Sequence, residues 1–208
     1  MNADDVRANG DTAGTPAFVH LRSPGCSLLL EVLALDATGT SPLPRVVHWG
    51  GALDQDVDAA ALALASSPPV PHAALDAPIR RPLLPMPVDG WRLRPGLRGA
   101  RADGTAWSPL FTVRGVESEV DSESGGGWVL VNATDEQADL RLQTRLTLHP
   151  RGVLEVAQSL RNEGDEDYIL AELAVTIPIP ARALEILDLT GRWCREHVPQ
   201  RQHPHMGT

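Results

Sequence analysis

Lysine is absent from this sequence of 208 residues. All 18 basic side chains are arginines, set against 27 acidic ones for a formal net charge of -9. A chain that holds nucleic acid by its phosphates needs net positive charge or a dense basic patch. Here the arginines are scattered, with Arg80-Arg81 the only adjacent pair, and no nucleic-acid partner is expected. Long apolar runs are missing too. None approaches the ~20 residues that cross a bilayer, so no membrane partner is expected. Residues 1–14 are polar and acidic, without the basic region and apolar core of a signal peptide. Cysteine is limited to Cys26 and Cys194, too few for a disulfide framework, and a cytoplasmic location is the simpler expectation. Aromatics are also scarce: two Phe and one Tyr accompany five Trp.

What is present suits a globular chain. With 42% hydrophobic and 22% charged residues it is no disordered polyelectrolyte. Residues 1–16 are expected to form a flexible lead-in. The run from Ser27 to Leu35 reads as a strand buried on both faces, and Arg45 to Trp49 as a short strand closing on Gly50-Gly51. Val57 to Ser66 is the clearest helix, with Asp54 or Asp56 as its cap and Asp58 in its first turn. Ser67 to Pro87 holds seven prolines, a density that admits no regular element and predicts a long ordered loop. The Gly- and Arg-rich stretch from Arg92 to Ser108 continues the irregular region.

From Leu110 the pattern becomes β. Strands are expected over Leu110 to Glu119 and Trp128 to Asn132. Leu140, Leu142, Thr144, Leu146 and Leu148 alternate with Arg141, Gln143, Arg145 and Thr147, which places a Leu-rich face inward. The turn His149-Pro150-Arg151-Gly152 leads into Val153 to Leu160, a hairpin signal. Tyr168 to Ile177 reads as a third meander strand, and Leu184 to Leu189 as a last short one. The fold class is mainly β, an antiparallel sandwich with one short helix and a long proline-rich loop.

Candidate chemistry is sparse. Asp54, Asp56 and Asp58 alternate like the start of a calcium loop, but the required Gly and later Glu are missing, which leaves a capped helix start. His197, His203 and His205 lack the fixed spacing of a metal site, so no metal is expected. No G-x-S-x-G, G-x-G-x-x-G or phosphate loop occurs. Trp91 and Trp107 lie in the irregular region, where an indole can stack on a sugar, although core packing explains any single Trp as well. The stretch Leu187 to Arg201 (LDLTGRWCREHVPQR) is the densest polar and aromatic cluster.

That stretch resembles the L-x-G-R-W-x-R-E-x-x-x-x-R motif of family 36 glycoside hydrolases, the bacterial α-galactosidases and their relatives, through Arg192, Trp193, Arg195, Glu196 and Arg201. His48-Trp49-Gly50 resembles the H-W-G strand of their N-terminal domain. Arg94-Pro95-Gly96-Leu97-Arg98-Gly99 with Trp107-Ser108-Pro109-Leu110-Phe111 is similar to the R-P-G-L-x-G … W-S-P-x-F form of actinobacterial members. Leu160-Arg161-Asn162-Glu163-Gly164-Asp165 matches an L-x-N-x-G-D turn.

The resemblance implies a galactose-mutarotase-like super-sandwich over residues 17–208, an N-terminal domain whose C-terminal completeness it leaves open. It further implies a catalytic (β/α)8 barrel as missing partner, a galactoside substrate, homo-oligomers of the full-length enzyme and no cofactor. The family's nucleophile and acid/base aspartates lie on the barrel, so no catalytic residue is assigned here and the chain alone is expected to be inactive. Asp103 and Trp107 are the substrate-proximal candidates that the resemblance suggests. A stand-alone carbohydrate-binding module is the alternative, and an interaction domain without a sugar role a third.

Overall fold

The computed structural model describes residues 17–34, 41–67, 81–121, 123, 125–179 and 183–203. The expected lead-in, most of the proline-dense segment and His205 lie outside the described residues. The chain divides into two units, at Ile177 and Pro178.

In the first unit, β1 (Ala17–Ser23), β2 (Cys26–Val32) and β3 (Arg45–Gly51) form an antiparallel sheet with β2 in the middle. A second antiparallel sheet runs in simple meander order through β5 (Thr112–Val120), β6 (Gly127–Asp135), β7 (Leu140–Leu148) and β8 (Leu154–Asn162). One core joins the two: Leu21, Leu28 and Leu30 pack in the same cluster as Val129, Val131, Leu142 and Leu146. Fully burying such a side chain is worth roughly 1.5–3 kcal/mol, and the Leu-rich inner face of β7, broken only by the buried Thr144, makes it the centre of the sandwich. Its burial alternates residue by residue as the period-2 pattern requires.

Strand β2 is buried on both faces, as its apolar run predicts. Leu28 and Leu30 face the core. Ser27 and Glu31 are buried as well, and their polar atoms are answered by neighbouring strands and the segment that follows β3. Ser27 Oγ accepts from the Leu53 N–H at 3.0 Å. Glu31 pairs with Arg45 at 2.5 Å, and Arg45 also donates to Ala63 O at 2.8 Å and Ser67 Oγ at 3.1 Å. This network fastens the C-terminal end of α1 (Ala59–Ala65) to the sheet.

Several elements differ from expectation. The helix is shorter, and Asp58 is its cap rather than a first-turn residue, accepting from the Ala61 N–H at 2.9 Å. The third strand runs on through Gly50 and Gly51 instead of turning there, with a bulge at Val47. β1, unassigned from the sequence, pairs along its whole length with β2. The proline-rich excursion closes with a 3-10 turn at Pro87–Asp89. The region Arg92 to Ser108 is not wholly irregular: β4 (Leu97–Arg101) lies within it. Strand β9 (Tyr168–Leu173) leaves the meander to pair with β4, roughly seventy residues earlier in the chain. In the second unit, β10 (Ile186–Arg192) and β11 (Arg195–Gln202) form a hairpin where one short strand was expected.

Candidate functional site

The loop between β4 and β5 is held from beneath by one arginine. Arg101, 9% exposed, ends β4. Its guanidinium donates to Glu166 O at 2.6 Å, Ala138 O at 2.7 Å and Asn162 Oδ1 at 3.3 Å. The turns that follow β6 and β8 are thereby tied to the root of the loop. The L-x-N-x-G-D turn serves this anchor: Asn162 also donates to Glu166 O at 2.7 Å, and a Cβ on Gly164 would lie 2.9 Å from Arg101 Nη2.

Above that root the chain turns tightly. Arg101 N donates to Thr105 O and Gly104 N to Arg101 O, both at 2.9 Å. Asp103 Oδ1 accepts from the Thr105 N–H at 2.9 Å and its hydroxyl at 2.7 Å. These two bonds, the backbone one first, hold the Asp103 carboxyl below its ordinary value, with a smaller contribution from the Arg101 charge. Asp103 is therefore an exposed anion near neutral pH, suited to accepting hydrogen bonds and unsuited to donating a proton.

Trp107 follows Ala106, which takes a left-handed φ of 55° and whose carbonyl accepts from the Tyr168 hydroxyl at 3.2 Å. Ser108 Oγ accepts from the Val88 N–H at 3.0 Å, the Leu110 N–H donates to Asp135 Oδ2 at 2.6 Å, and Phe111 is buried. The segment Trp107 to Phe111 is thus pinned along its length, while the Trp107 side chain stands 60% exposed. A large indole held open on a fixed backbone, on the same loop as an anionic Asp, presents a flat apolar face, and the loop also carries hydrogen-bond acceptors.

The R-P-G-L-R-G segment supports the same region. Arg94 forks onto Glu172 at 2.5 and 3.2 Å, and Arg98 reaches the same carboxylate at 3.4 Å. Added Cβ atoms at Gly96 and Gly99 would come within 2.6 Å of Leu84 Cδ1 and Tyr168 Cε1 respectively, so both glycines are needed for the close approach of neighbouring segments. Trp91 spends its indole N–H on Arg94 O at 2.9 Å and is only half exposed, which leaves it a poorer sugar platform than Trp107.

His48, Trp49 and Gly50 occupy β3. His48 Nε2 lies 2.9 Å from Gly51 O, and Trp49 packs against the core. These positions read as framework of the first sheet. Trp128 is likewise engaged, donating to Glu119 Oε2 at 2.9 Å under the Arg145 guanidinium, 4.3 Å from its ring centre.

The remaining motif residues lie in the second unit. Gly191 faces a bulge in β11, where Glu196 and His197 together oppose it; a Cβ on Gly191 would sit 2.7 Å from Arg195 O. Arg192 pairs with Arg195 across the turn, and Cys194 takes a left-handed φ of 66°. This geometry leaves Trp193 at the hairpin tip, 88% exposed. Glu196 and Arg192 line an open hollow of about 270 Å³ with Thr190 and His197. Arg201 pairs with Glu185 at 2.8 Å. His203 Nδ1 lies 2.9 Å from Leu184 O.

The structure thus gathers Asp103 and Trp107 on one loop, and Arg192, Trp193, Arg195 and Glu196 on one hairpin. Sequence reasoning missed Arg101 and Tyr168, which mount the loop. Their only sequence signal is indirect: Gly164 and Gly99 sit where a side chain would strike them.

Fold and loops define the chain first as an antiparallel β-sandwich domain that displays aromatic and charged groups on anchored connections. The description Glycosyl hydrolase family 36 N-terminal domain matches residues 42–208, and the chain belongs to that family. It is 31% identical over 186 residues to an Escherichia coli alpha-galactosidase, a match that covers 88% of this chain and 24% of that protein. Crystal structures of the GH36 alpha-galactosidase AgaA from Geobacillus stearothermophilus share the fold. One structure of AgaA aligns at a TM-score of 0.69 and 16% identity, and a doubly substituted form in complex with raffinose at 0.67 and 17%; each alignment covers 92% of this chain and 28% of AgaA. The chain spans about a quarter of the length of these relatives.

Proposed function

We propose that this chain serves as the N-terminal, non-catalytic domain of a cytoplasmic α-galactosidase. Its substrates would be terminal α-galactosides, the chemistry of the raffinose bound to the Geobacillus relative. The domain acts as scaffold and oligomer contact for a catalytic barrel, with the β4–β5 loop as a rim of the sugar site. The observation that supports this most is the mounting of Trp107: its backbone neighbours are pinned through Arg101, Tyr168, Ser108 and Asp135, yet its indole is exposed. Core packing alone gives no reason for so fixed a frame around an open aromatic.

Two measurements test the reading. The purified chain is expected to show no turnover of an aryl α-galactoside; turnover abolished by replacing one of its own carboxylates overturns the non-catalytic assignment. In a chimera in which this chain replaces the matching segment of the Escherichia coli relative, Trp107→Ala is expected to raise KM for raffinose with little change in kcat. An unchanged KM removes the rim role. A self-sufficient sugar-binding module would instead bind galactose or raffinose as the isolated chain, lost in Trp107→Ala, in calorimetry at millimolar sugar.

A further inference from the structure

The face of the first sheet turned away from the core carries a polar cluster of its own. Leu21, Leu28 and Leu30 belong to the core, and Trp49 packs against it. His20 and Arg22 of β1, Ser27 and Leu29 of β2, and His48 of β3 alternate with these and share the opposite face. His20, Leu29 and His48 stand in one row across the three strands. At the end of β3 the chain turns over this face on its way to α1. Three contacts hold the corner. The Ala52 N–H donates to Gly25 O at 3.2 Å, His48 Nε2 lies 2.9 Å from Gly51 O, and the Leu53 N–H donates to Ser27 Oγ at 3.0 Å.

The two imidazoles at this corner have opposite roles. Gly51 O can only accept, so His48 presents a proton on Nε2, and a second proton on its other nitrogen leaves that bond in place. Ser27 is 0% exposed, and its hydroxyl has one proton to give. Its oxygen already accepts from Leu53, and among the described residues the one acceptor it reaches is His20 Nε2, at 3.2 Å. The hydroxyl therefore donates to His20, whose ring is neutral with its proton on Nδ1. A proton added at Nε2 sets two donors against each other and strands the buried hydroxyl, a state such groups seldom tolerate. Ser27 regains a partner only by turning its hydroxyl or admitting water, and either weakens its grip on the Leu53 N–H. Burial first, then the charges of Arg22 and His48, hold the His20 ring below the ordinary 6.5. Glu31, further along the same face of β2, pairs with Arg45. Asp54 and Asp56 are exposed, Asp58 caps α1, and none of these acids is among the charges that act on the ring.

We propose that this corner is an acid-sensitive latch: protonation of His20 breaks its bond with Ser27 and releases Leu53, which loosens the segment joining β3 to α1 while the rest of the fold stays intact. The far end of that segment is fixed differently. Arg45 donates to Ala63 O at 2.8 Å and to Ser67 Oγ at 3.1 Å, and its guanidinium keeps its charge throughout. Helix α1 consists of Ala and Leu alone and adds no titration of its own. Opening therefore pivots on the Arg45 contacts. Freed from the sheet, the His20 ring returns toward 6.5 and binds a proton more readily than it does in the closed latch. Opening is thus favoured as pH falls below 6.5. The latch uses only groups of the first unit and is independent of the α-galactosidase reading.

Amide hydrogen exchange followed by NMR on the 208-residue chain tests the latch. Rates are taken from about pH 8 to about pH 5, each divided by that of an unstructured peptide at the same pH, and the His20 ring is titrated in the same samples. The Leu53 amide is expected to be less protected than the Val131 amide of the core at every pH, because it opens without unfolding the domain. Its protection should fall about fivefold or more as the His20 ring titrates. In His20→Gln, whose amide oxygen accepts from Ser27 without titrating, it should stay level over the same range. Ser27→Ala should leave Leu53 poorly protected and equally indifferent to pH; both variants are checked for folding by circular dichroism. The proposal is overturned by Leu53 protection that matches that of Val131, by protection that holds through the His20 titration, or by an equal fall in either variant.

Discussion

Replacing Arg101 by Ala should be the most damaging single change to the loop that carries Asp103 and Trp107. The guanidinium is 9% exposed and donates to two backbone carbonyls, Ala138 O at 2.7 Å and Glu166 O at 2.6 Å, besides Asn162 at 3.3 Å. Truncation leaves the Ala138 carbonyl buried without its donor, while the exposed Glu166 carbonyl keeps its bond from Asn162. An unsatisfied buried group costs about 1–3 kcal/mol, so the expected loss is about 2 kcal/mol. For a chain of this size that corresponds to a fall in Tm of roughly 4–8 °C. Arg101→Lys should recover about half, because an ammonium cannot fork to two separated carbonyls as a planar guanidinium does. Arg98→Ala is the matched control: its side chain is 57% exposed and 3.4 Å from Glu172, so a change under about 0.5 kcal/mol is expected. Thermal unfolding followed by circular dichroism reads all three. If Arg101→Ala melts within about 2 °C of the parent, the Ala138 carbonyl is answered by water and the anchoring argument fails.

Other outcomes follow from single contacts. Asp58→Ala should cost about 1 kcal/mol by removing the cap that accepts from the Ala61 N–H, read in urea unfolding; no change would mean that α1 is held only by Arg45. Gly99→Ala should cost about 1–3 kcal/mol, since its Cβ would press 2.6 Å from Tyr168 Cε1 and 2.8 Å from Ile169 O, whereas Gly115→Ala, with open space around it, should be tolerated in the same assay. His20 has its imidazole held below the ordinary 6.5, first by burial and then by the charges of Arg22 and His48. Its unfolded form thus binds a proton more readily than its folded form. The associated stability is present above pH 6.5 and lost as pH falls through the folded value. His20→Asn should flatten that acid limb of the stability curve; an unchanged slope would assign it elsewhere.

The strands legible in the sequence were those whose pattern is local. β7 matches its alternation from Leu140 to Leu148 because each side chain answers only to the face it occupies. β2 follows from an apolar run covered on both faces. β4 was not legible because its five residues, LRGAR, are a strand only by virtue of β9, and nothing in either segment names the other. The same long-range pairing draws β9 out of the meander that its neighbours continue. β11 was obscured by Pro199 and charge, yet Pro199 pairs opposite Leu189 on the free edge of a two-stranded hairpin, where a missing donor costs little. The expected caps, Asp54 and Asp56, fall short of the helix start, and Asp58, expected in the first turn, is the residue that reaches the Ala61 N–H. For the candidate site, motif residues located both exposed tryptophans, but their supports were invisible: Arg101 acts through carbonyls, which every residue possesses.

The two most exposed tryptophans share a construction that core packing does not demand. Trp107 follows Ala106 and Trp193 precedes Cys194, and both of these neighbours adopt left-handed backbone without being glycine. Such a residue costs about 1–2 kcal/mol, and it persists only where surrounding contacts over-determine the chain. At Ala106 the contacts are the Tyr168 hydroxyl on its carbonyl and the anchored turn from Arg101 to Thr105. At Cys194 they are the paired Arg192 and Arg195 and the bulge at Glu196 and His197, packed closely against Gly191. In each case the strain fixes where an open indole points, and the other Trp side chains, which are engaged in the core or with Arg145 and Arg94, lie beside no such residue. Glycine would relieve the strain at both positions and also free the indole to move. Its absence there is consistent with selection for the direction of Trp107 and Trp193 rather than for stability, the expected mark of groups that meet something outside the domain.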